Sequence, residues 1–561
     1  MATVTGRIFE VYDRGRDRPF ARWWGPRRAP ENLTYGELVL RASAIARKLQ
    51  AAGVGDGDVV VVIVRAETTL MAAWLAPQLV GAIPSLFPWP TPKLSRAYYE
   101  RSIASLLRIA DARAIVASRD LLGLLNPLTS DAPGMRDFVL VDDVQPLESA
   151  VVPPRAVLED AERIAILQHS SGSTGLQKGV ALSSRAVLNQ LRAHAAAIKL
   201  RPTDRYVNWM PLYHDGGLCG GFLQPLLNGL PLSVVSPMDW VADPALLLRA
   251  ITADKCSVCW LPNFAYNHMA QHIPDSKLEG IDLSTMRVFV NSAEPVRAAS
   301  HEAFLKRFGP YGISPLALTT SYGAAENTLA ISQSDPDVPV RIDVLDRSRL
   351  ARDGVALPPR PGKPAVAMVS SGKPLDNVQV RVVDVRGRDL PERRVGEYAI
   401  KSDCMLTEYY KRPDLTAQAF HDGWYLTGDY GYVANNELYV TGRRKDLIIV
   451  GGNNIYPQDL EFIADNVDGV HPGRTVAFGV ENEALGTEEV VVIVEADCRQ
   501  ESGAVAERVR QAIAKQSDCV ARTVYVVPPM WLTKTSSGKI SRARCKERFL
   551  LETRGTDRVA R

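Results

Sequence analysis

Residues 168–179 read Gln168-His169-Ser170-Ser171-Gly172-Ser173-Thr174-Gly175-Leu176-Gln177-Lys178-Gly179 and follow directly on the apolar run 164–167. Glycine lets a backbone curl so that successive N–H groups converge on an anion, hydroxyl groups donate further hydrogen bonds, and lysine adds a compact positive charge. This composition predicts a loop that binds the phosphates of a nucleotide. Taken alone, such a turn is also typical of an ordinary surface loop.

The commonest nucleotide-binding loop does not fit this segment. A P-loop needs Gly-x-x-x-x-Gly-Lys-Ser/Thr before a helix, and neither residues 168–179 nor the later Ser537-Gly538-Lys539-Ile540 has that spacing. Residues 180–183 predict a second short strand, and a helix is expected from Ser183 or Ser184 to Leu200 with the serine as its N-cap. The loop is therefore predicted to join two strands.

The composition sets limits on the class of protein. A chain of 561 residues is too long for one compact core, so at least two domains are expected. With 46% hydrophobic residues, 23% charged residues and a formal charge of +3, the chain is ordinary for a soluble globular protein and lacks the charge pattern of a nucleic-acid-binding protein. The sequence has no signal-peptide core and no apolar run of membrane-spanning length, so a cytoplasmic enzyme is expected.

The seven cysteines are odd in number and scattered, which argues against a disulfide framework. Cys256 and Cys259 form a CxxC pair inside the apolar run 256–261, but no second pair completes a metal site. We interpret this pair as core.

The hydrophobic pattern predicts a mostly parallel α/β architecture. A helix from Thr34 to Ala52 precedes the unbroken β-branched run 59–64, which is typical of a strand buried on both faces. Further alternating helices and strands are expected at 68–80, 83–87, 102–110, 114–116, 121–125 and 138–141.

A change of pattern near residue 442 predicts the domain organisation. The stretch 378–440 is rich in predicted strands, whereas a compact α/β unit of domain size follows residue 446. We expect an N-terminal domain at 1–442, a hinge at 443–446 and a C-terminal domain at 447–561.

Five motifs occur in the order that is typical of the adenylate-forming enzymes. They are Ser170 to Lys178, Tyr322-Gly323-Ala324-Ala325-Glu326, Tyr425-Leu426-Thr427-Gly428-Asp429, Gly442-Arg443-Arg444-Lys445-Asp446 and Thr535-Ser536-Ser537-Gly538-Lys539. The chain resembles that superfamily, which comprises acyl-CoA synthetases, peptide-synthetase adenylation domains and luciferase-like enzymes. The resemblance implies an N-terminal domain of two packed α/β sheets plus a β-barrel-like part, and a small mobile α+β C-terminal domain.

Within that superfamily the sequence is most similar to the fatty acyl-AMP ligases. The similarity lies in the run 210–225, which begins Met210-Pro211-Leu212-Tyr213-His214-Asp215, and in Ala325 at a position where most relatives carry threonine. The segment 343–371 also resembles the insertion that distinguishes those ligases from acyl-CoA synthetases.

The resemblance implies a ligase that uses ATP and Mg²⁺. A carboxylate must attack the α-phosphate of ATP, and because two anions repel, the site must supply positive charge and fixed donors. By resemblance, Lys539 contacts both anions, and His214 borders the carboxylate and the acyl tunnel as a second catalytic candidate. Glu326 would hold Mg²⁺, which prefers carboxylate and phosphate oxygens.

The resemblance also assigns binding roles. The candidate nucleotide contacts are Ser170, Ser171, Gly172, Ser173, Thr174, Gly175 and Lys178 for the β- and γ-phosphates, Ser292, Ala293, Glu294, Pro295, Ser321, Tyr322, Gly323 and Ala324 around the adenine, and Asp429 and Arg443 for the ribose. Lys445 matches the family's hinge, on which the C-terminal domain brings Lys539 in for adenylation and then swings it away. The candidate acyl-pocket residues, most of which would equally suit an ordinary core, are Trp209, Met210, Gly216, Cys219, Trp260 and Phe264.

The function expected from this resemblance has two steps. A carboxylic acid, expected to be a fatty acid, reacts with ATP to give an acyl-adenylate and pyrophosphate, and the acyl group passes to the phosphopantetheine thiol of an acyl carrier protein. The alternatives are an acyl-CoA synthetase that uses free CoA, a ligase for an aryl acid, an ATPase or kinase that releases ADP, and a non-catalytic nucleotide-binding protein. The basic residues Arg542, Arg544, Lys546 and Arg548 would either meet an acidic carrier protein or form a solvated helix face.

Overall fold

The structure is a computed structural model, and it describes all but a few short segments of the chain. The residues outside the description are 1–2, 27–28, 66–67, 91–95, 130–131, 133, 171–177, 451–452, 483–486, 498–501, 518, 536–538 and 557–561, together with the side chains of residues 98, 143, 170 and 554–556.

The first 160 residues contain a four-stranded parallel sheet in the strand order β4-β3-β5-β6. The elements of this region are α1 (Val4–Arg14), β1 (Pro19–Trp24), β2 (Glu31–Thr34), α2 (Tyr35–Ala51), β3 (Val59–Ile63), α3 (Thr68–Leu79), β4 (Ile83–Leu86), α4 (Arg96–Ala110), β5 (Ala112–Ala117), α5 (Leu122–Leu125), β6 (Asp137–Leu140) and α6 (Arg155–Glu159). Every residue of β3 is buried, as its unbroken apolar run predicts. The predicted alternation of helices and strands is confirmed.

A nine-stranded sheet forms the centre of the molecule. The elements that build and surround it are β7 (Ile164–Ser170), β8 (Lys178–Ser183), α7 (Ser184–Ala197), β9 (Tyr206–Asn208), α8 (Gln224–Asn228), β10 (Leu232–Val235), α9 (Pro237–Ala242), α10 (Ala245–Asp254), β11 (Val258–Leu261), α11 (Asn263–His272), β12 (Val288–Asn291), α12 (Ala298–Phe308), β13 (Leu318–Gly323), β14 (Ala330–Gln333), β15 (Ile342–Asp346), α13 (Arg347–Asp353), β16 (Ala365–Val369) and β17 (Lys373–Pro374). The strand order is β17-β14-β13-β12-β11-β9-β10-β1-β2, and the strands from β13 to β1 are parallel.

An antiparallel sheet follows, in the region of the predicted β-barrel-like part. Its region contains β18 (Val378–Val383), β19 (Gly396–Ser402), β20 (Glu408–Tyr409), α14 (Pro413–Ala419), β21 (Phe420–His421), β22 (Trp424–Ala434) and β23 (Glu437–Arg443). The strand order is β18-β19-β22-β21, with β23 also paired to β22, whereas β20 leaves this sheet and pairs with β8. That pairing brings β20 beside the hairpin of β7 and β8.

The C-terminal region packs around its own hydrophobic core. Its elements are β24 (Ile448–Val450), β25 (Asn453–Ile455), α15 (Pro457–Asp465), β26 (Thr475–Asn482), β27 (Thr487–Glu495), α16 (Ser502–Gln516), β28 (Thr523–Val527) and α17 (Arg542–Thr556). Two clusters of buried side chains, drawn only from residues between Ile448 and Phe549, fill the space around the sheet β26-β27-β28. The domain boundaries at 442 and 447 stay a prediction.

Side-chain caps set two of the predicted helix starts. The Thr34 hydroxyl accepts a hydrogen bond from the Glu37 N–H while the Glu37 carboxylate accepts one from the Thr34 N–H, and together they form a capping box for α2. The Ser183 hydroxyl accepts a hydrogen bond from the Ala186 N–H, and Ser183 is therefore the N-cap of α7. Among the residues that the structure describes, no helix is both long and apolar enough to cross a membrane.

The central sheet separates two hydrophobic cores. Along β11, Val258 and Trp260 belong to one core, and Cys259 and Leu261 belong to the other. Successive side chains of a strand point to opposite faces, so the two cores lie on the two faces of the sheet.

Four buried histidines lead us to expect a lower free energy of unfolding in acid. Burial lowers the pKa of His169, His194 and His301 to about 4 and that of His214 to about 3. An unfolded histidine titrates near ~6.5, so the unfolded state binds more protons below that pH, and the free energy of unfolding falls as the pH falls from about 6.5 through about 4. The urea midpoint should be lower at pH 5 than at pH 7. In His194→Gln the difference between these two midpoints should be smaller, because one buried histidine no longer titrates. Equal midpoints for the unmodified protein would contradict this expectation.

Candidate active site

The predicted phosphate loop is the connection of a β-hairpin. Strands β7 and β8 pair antiparallel, with Ser170 opposite Lys178, so the prediction that the loop joins two strands is confirmed. Lys178 extends from the base of the hairpin, and its ammonium lies 4.7 Å from the centre of the Tyr409 ring. The predicted phosphate contacts Ser171, Gly172, Ser173, Thr174 and Gly175 lie outside the described residues, as does the side chain of Ser170.

Asp429 connects two other predicted nucleotide contacts. One carboxylate oxygen accepts a hydrogen bond from the Tyr322 hydroxyl at 2.9 Å, and the other accepts from Nε of Arg443 at 3.0 Å. The Asp429 carboxylate raises the pKa of Arg443, and burial raises that of Tyr322. Because β22 pairs with β23, the register of the antiparallel sheet places Asp429 opposite Arg443, while Tyr322 reaches Asp429 from β13 of the central sheet.

The segments predicted around the adenine follow neighbouring parallel strands. Ser292, Ala293, Glu294 and Pro295 follow β12, while Ser321, Tyr322 and Gly323 end β13 and Ala324 comes next. Carboxyl ends of parallel strands share one edge of a sheet, so β12 and β13 bring both segments to that edge. Ala293 has a φ of 71°, which a residue with a Cβ rarely adopts.

Glu326 is held by a tyrosine that the sequence analysis missed. The Tyr409 hydroxyl donates to a Glu326 carboxylate oxygen at 2.8 Å and lies 3.1 Å from the Tyr425 hydroxyl. The Leu406 N–H donates to the Glu326 carbonyl at 2.7 Å, which brings the segment before β20 beside Glu326, and β20 itself pairs with β8. The sequence near Tyr409 gives no signal of this role, since the pairing of a two-residue strand cannot be read from local pattern.

Lys539 lies among charged side chains of the N-terminal region. The carboxylates of Glu294 and Asp215 attract its ammonium and oppose the fall in its pKa, which burial causes. Burial raises the pKa of both carboxyl groups, and the charge of Lys539 opposes that rise. The charge of Lys539 adds to burial in lowering the pKa of His214. The described structure thus brings Lys539, His214 and Glu294 together and adds Asp215, which the sequence analysis did not single out.

The predicted hinge residue Lys445 lies two residues after Arg443, the last residue of β23. Burial and the charge of Arg443 lower the Lys445 pKa. The next residue, Asp446, forms an ion pair of 2.7 Å with Arg542, which also pairs with Glu461 at 2.7 Å. The Arg542 guanidinium is therefore paired with one carboxylate of the predicted hinge and one of α15.

The six predicted acyl-pocket residues do not share one face of the central sheet. Trp209 stacks on Trp240 at 3.8 Å between ring centres, and Phe264 packs edge-on against Trp209 at 6.1 Å. Cys219 and Trp260 lie in the core on the opposite face, and Met210 packs against both cores. A single pocket lined by all six residues does not follow from this arrangement.

The remaining predicted pocket residue, Gly216, begins a π-helix, Gly216–Leu223, directly after Asp215. A Cβ on Gly216 would lie 2.9 Å from the end of the Met210 side chain, and one on Gly220 would lie 2.8 Å from the Trp260 indole. Glycine thus lets this helix approach the side chains of the sheet. Such π-helical segments are frequent at functional sites.

Comparison with known proteins places this geometry in context. The family model described as AMP-binding enzyme matches residues 9–410. A Caulobacter vibrioides protein named "Putative acyl-CoA synthetase" is 33% identical over 94% of this chain and 91% of its own length. The long-chain-fatty-acid–AMP ligase FadD26 of Mycobacterium marinum is 30% identical, with 92% of this chain and 91% of that protein covered.

Two further comparisons concern the acceptor and the fold. The medium-chain-fatty-acid–[acyl-carrier-protein] ligase JamA of Moorena producens is 29% identical, with 92% of this chain and 90% of that protein covered. A solved structure from a study of fatty acyl-adenylate ligases of E. coli and L. pneumophila superposes with a TM-score of 0.90 at 28% identity. It covers 99% of this chain and 98% of the other.

Proposed function

This chain belongs to the AMP-binding enzyme family and is an acid-activating ligase, and on that premise we propose that it converts a fatty acid and ATP into an acyl-adenylate and pyrophosphate. A carboxylate oxygen of the acid forms a bond to the α-phosphorus of ATP, and the bond from that phosphorus to the bridging oxygen breaks. The acyl group then passes to the thiol of a carrier-bound phosphopantetheine, which loses its proton as AMP leaves.

The observation that carries the proposal is the position of Lys539. It comes from the C-terminal region and lies beside His214, Asp215 and Glu294 of the N-terminal region. In the proposed reaction its ammonium lies between the substrate carboxylate and the α-phosphate and reduces their repulsion. The neutral form of His214, favoured by its lowered pKa, adds no second positive charge at this point.

We propose that Asp429 and Arg443 bind the ribose, and that Tyr322 packs against the adenine. A carboxylate can accept hydrogen bonds from both ribose hydroxyls, and the Tyr322 and Arg443 contacts fix the orientation of Asp429 before the nucleotide binds. Prior fixing of this kind lowers the entropy cost of binding.

The donor set fits Mg²⁺ when ATP is bound. No group of three or more His, Cys, Asp or Glu side chains that could hold a metal ion occurs in the described part of the chain. Mg²⁺ is commonly bound by one or two carboxylates together with substrate phosphates, and Glu326 offers one such carboxylate, oriented by Tyr409. The bound ion would neutralise phosphate charge during the reaction.

Two observations support a carrier protein as the acyl acceptor. The relative JamA carries that acceptor in its name, and the segment 343–371 resembles the insertion of the fatty acyl-AMP ligases. In this chain the segment folds as the antiparallel pair β15 and β16 with α13 between them. The acyl-CoA synthetase name of the Caulobacter relative favours free CoA as the second candidate acceptor.

A panel of acids tests the proposal. Aliphatic acids of increasing length and aryl acids are incubated with ATP and Mg²⁺ alone, with CoA, or with a phosphopantetheine-loaded carrier protein, and mass spectrometry identifies the acylated product. We expect AMP and pyrophosphate in every productive arm and acyl transfer to the carrier protein. Release of ADP, or absence of any acyl-adenylate across the panel, would refute the proposal, whereas acyl-CoA as the main product would favour the second candidate.

Tyr409→Phe should weaken the use of Mg²⁺. Without the Tyr409 hydroxyl, Glu326 loses the contact that orients it, and losses of this kind cost about tenfold or more in metal affinity. The Mg²⁺ concentration for half-maximal adenylation should rise by about that factor. Tyr410→Phe is the matched control, because it makes the same substitution at the adjacent tyrosine, whose ring contacts the Lys411 ammonium. An equal response of the two variants would remove the proposed role of Tyr409.

A further inference from the structure

Arg297 forms a three-part contact with the first turns of α15. Its guanidinium donates to a carboxylate oxygen of Asp459 at 2.9 Å and to the backbone carbonyl of Gln458 at 3.1 Å. The same guanidinium lies 5.2 Å from the centre of the Phe462 ring, within the range of a cation–π contact. One side chain of the N-terminal region therefore holds an ion pair, a carbonyl and an aromatic ring of the C-terminal region.

The N-terminal side of this contact is hydrogen-bonded to buried side chains. The Arg297 N–H donates to the Asn263 side-chain oxygen at 3.1 Å, and the same oxygen accepts from the Asn291 amide at 3.2 Å. Asn263 and Asn291 are buried. Arg297 follows Glu294, the carboxylate beside Lys539, by three residues, so the contact lies next to the proposed reaction centre in the chain.

The other side of the contact is tied to the proposed hinge. The Gln458 side-chain amide donates to the Thr441 carbonyl in β23, two residues before Arg443. The first turn of α15 therefore touches Arg297 on one side and the strand that leads into the hinge on the other. A rotation about residues 443–446 that carries Lys539 out of the site must also carry α15 away from Arg297.

We propose that Arg297 is a positioning residue, a latch that holds the C-terminal region in the orientation in which Lys539 meets Asp215 and Glu294. The inference rests on the proposed function. The Asp459 side chain is 43% exposed and that of Arg297 is 19% exposed, so water reaches the pair and screens it. Such a contact is strong enough to favour the orientation with Lys539 in the site over the one with Lys539 swung away. It is also weak enough to open once in each catalytic cycle.

The first test separates the two half-reactions. In Arg297→Ala, pyrophosphate release with dodecanoic acid should slow by about fivefold or more, because Lys539 spends less time in the site. Acyl transfer from chemically made dodecanoyl-adenylate to a carrier protein should be unchanged or faster. Arg307→Ala is the matched control, because Arg307 also binds one carboxylate, Asp275 at 2.5 Å, and one carbonyl, Ile273 at 2.9 Å, wholly within the N-terminal region.

The second test does not depend on activity. Trypsin cleaves after arginine and lysine, and mass spectrometry can follow cleavage after Arg443, Arg444 and Lys445. Cleavage at these sites should be faster in Arg297→Ala than in the unmodified protein or Arg307→Ala. The double variant Arg297→Glu with Asp459→Arg restores the ion pair but not the contacts with the Gln458 carbonyl and the Phe462 ring. It should therefore recover part of the slow cleavage and, with dodecanoic acid, part of the pyrophosphate release.

The outcomes distinguish the latch from the function. If Arg297→Ala behaves as Arg307→Ala in both tests, or slows both half-reactions equally, the latch is refuted while the ligase function stands. If the unmodified protein forms no acyl-adenylate but the cleavage rates differ as expected, the proposed function fails while the contact between the two regions is supported.

Discussion

Lys539→Ala should lower the rate of acyl-adenylate formation by about 10²- to 10³-fold, which is the loss that follows removal of one donor to a developing negative charge. The structure gives the physical reason. The carboxylates of Glu294 and Asp215 act electrostatically on the ammonium, whose pKa burial lowers, so the alanine variant removes a positive charge that lies near both carboxylates. Pyrophosphate release, measured with saturating acid, ATP and Mg²⁺, reports this step directly.

The second half-reaction provides the internal control for Lys539. Transfer from chemically made dodecanoyl-adenylate to a carrier protein needs no attack on phosphorus, so Lys539→Ala should leave it within about twofold of the unmodified rate. Lys515→Ala, at an exposed position on α16, should leave both steps unchanged. Equal loss of adenylation and transfer in Lys539→Ala would mean that the lysine supports the fold and not the reaction.

Asp429→Ala should raise the KM for ATP by about 10- to 100-fold. Hydrogen bonds to a charged group contribute about 1.5–3 kcal/mol, and every ~1.4 kcal/mol corresponds to a factor of ten. Because the ribose does not change during the reaction, the contact is expected to be equal in the ground and transition states, so kcat should change little. Initial rates over a range of ATP concentrations separate KM from kcat.

Tyr322→Phe is the matched control for Asp429. It removes the hydroxyl that donates to Asp429 and keeps both the ring and the carboxylate. The KM for ATP should therefore rise by only about two- to tenfold, because Asp429 can still bind the ribose and loses one of the two contacts that orient it. Thermal unfolding of both variants shows whether the fold survives. A KM in Asp429→Ala no higher than in Tyr322→Phe would place the ribose elsewhere.

Short sequence patterns were sufficient to predict much of the fold. The buried strand β3, the capped starts of α2 and α7, and the pairing of β7 with β8 agree with the sequence because each depends on residues near one another in the chain. Apolar runs of strand length, hydroxyl caps and glycine-rich turns carry their structural signal within a few positions.

Strand register decided which face of the central sheet each predicted acyl-pocket residue occupies, and the sequence did not predict this. Trp209 and Trp260 both lie at the ends of neighbouring strands, β9 and β11, and both are large and buried. Their spacing in the sequence does not say which face of the sheet each one occupies. In the structure Cys259 pairs with Val207, which aligns Trp260 with Asn208 and leaves Trp209 one position further on, on the other face. A shift of one residue would have reversed this outcome.

By itself, the sequence determined the α/β class and the family resemblance, and it predicted Lys539 as the lysine of the reaction centre, because composition and short motifs carry these signals locally. Only the tertiary structure decided that Tyr409 orients Glu326, that Asp215 faces Lys539 and that Arg297 holds α15. Each of these contacts joins residues that are distant in the chain, as with the 162 positions between Arg297 and Asp459. Such partners meet only after sheets pair and the two regions pack, and no local pattern records that geometry.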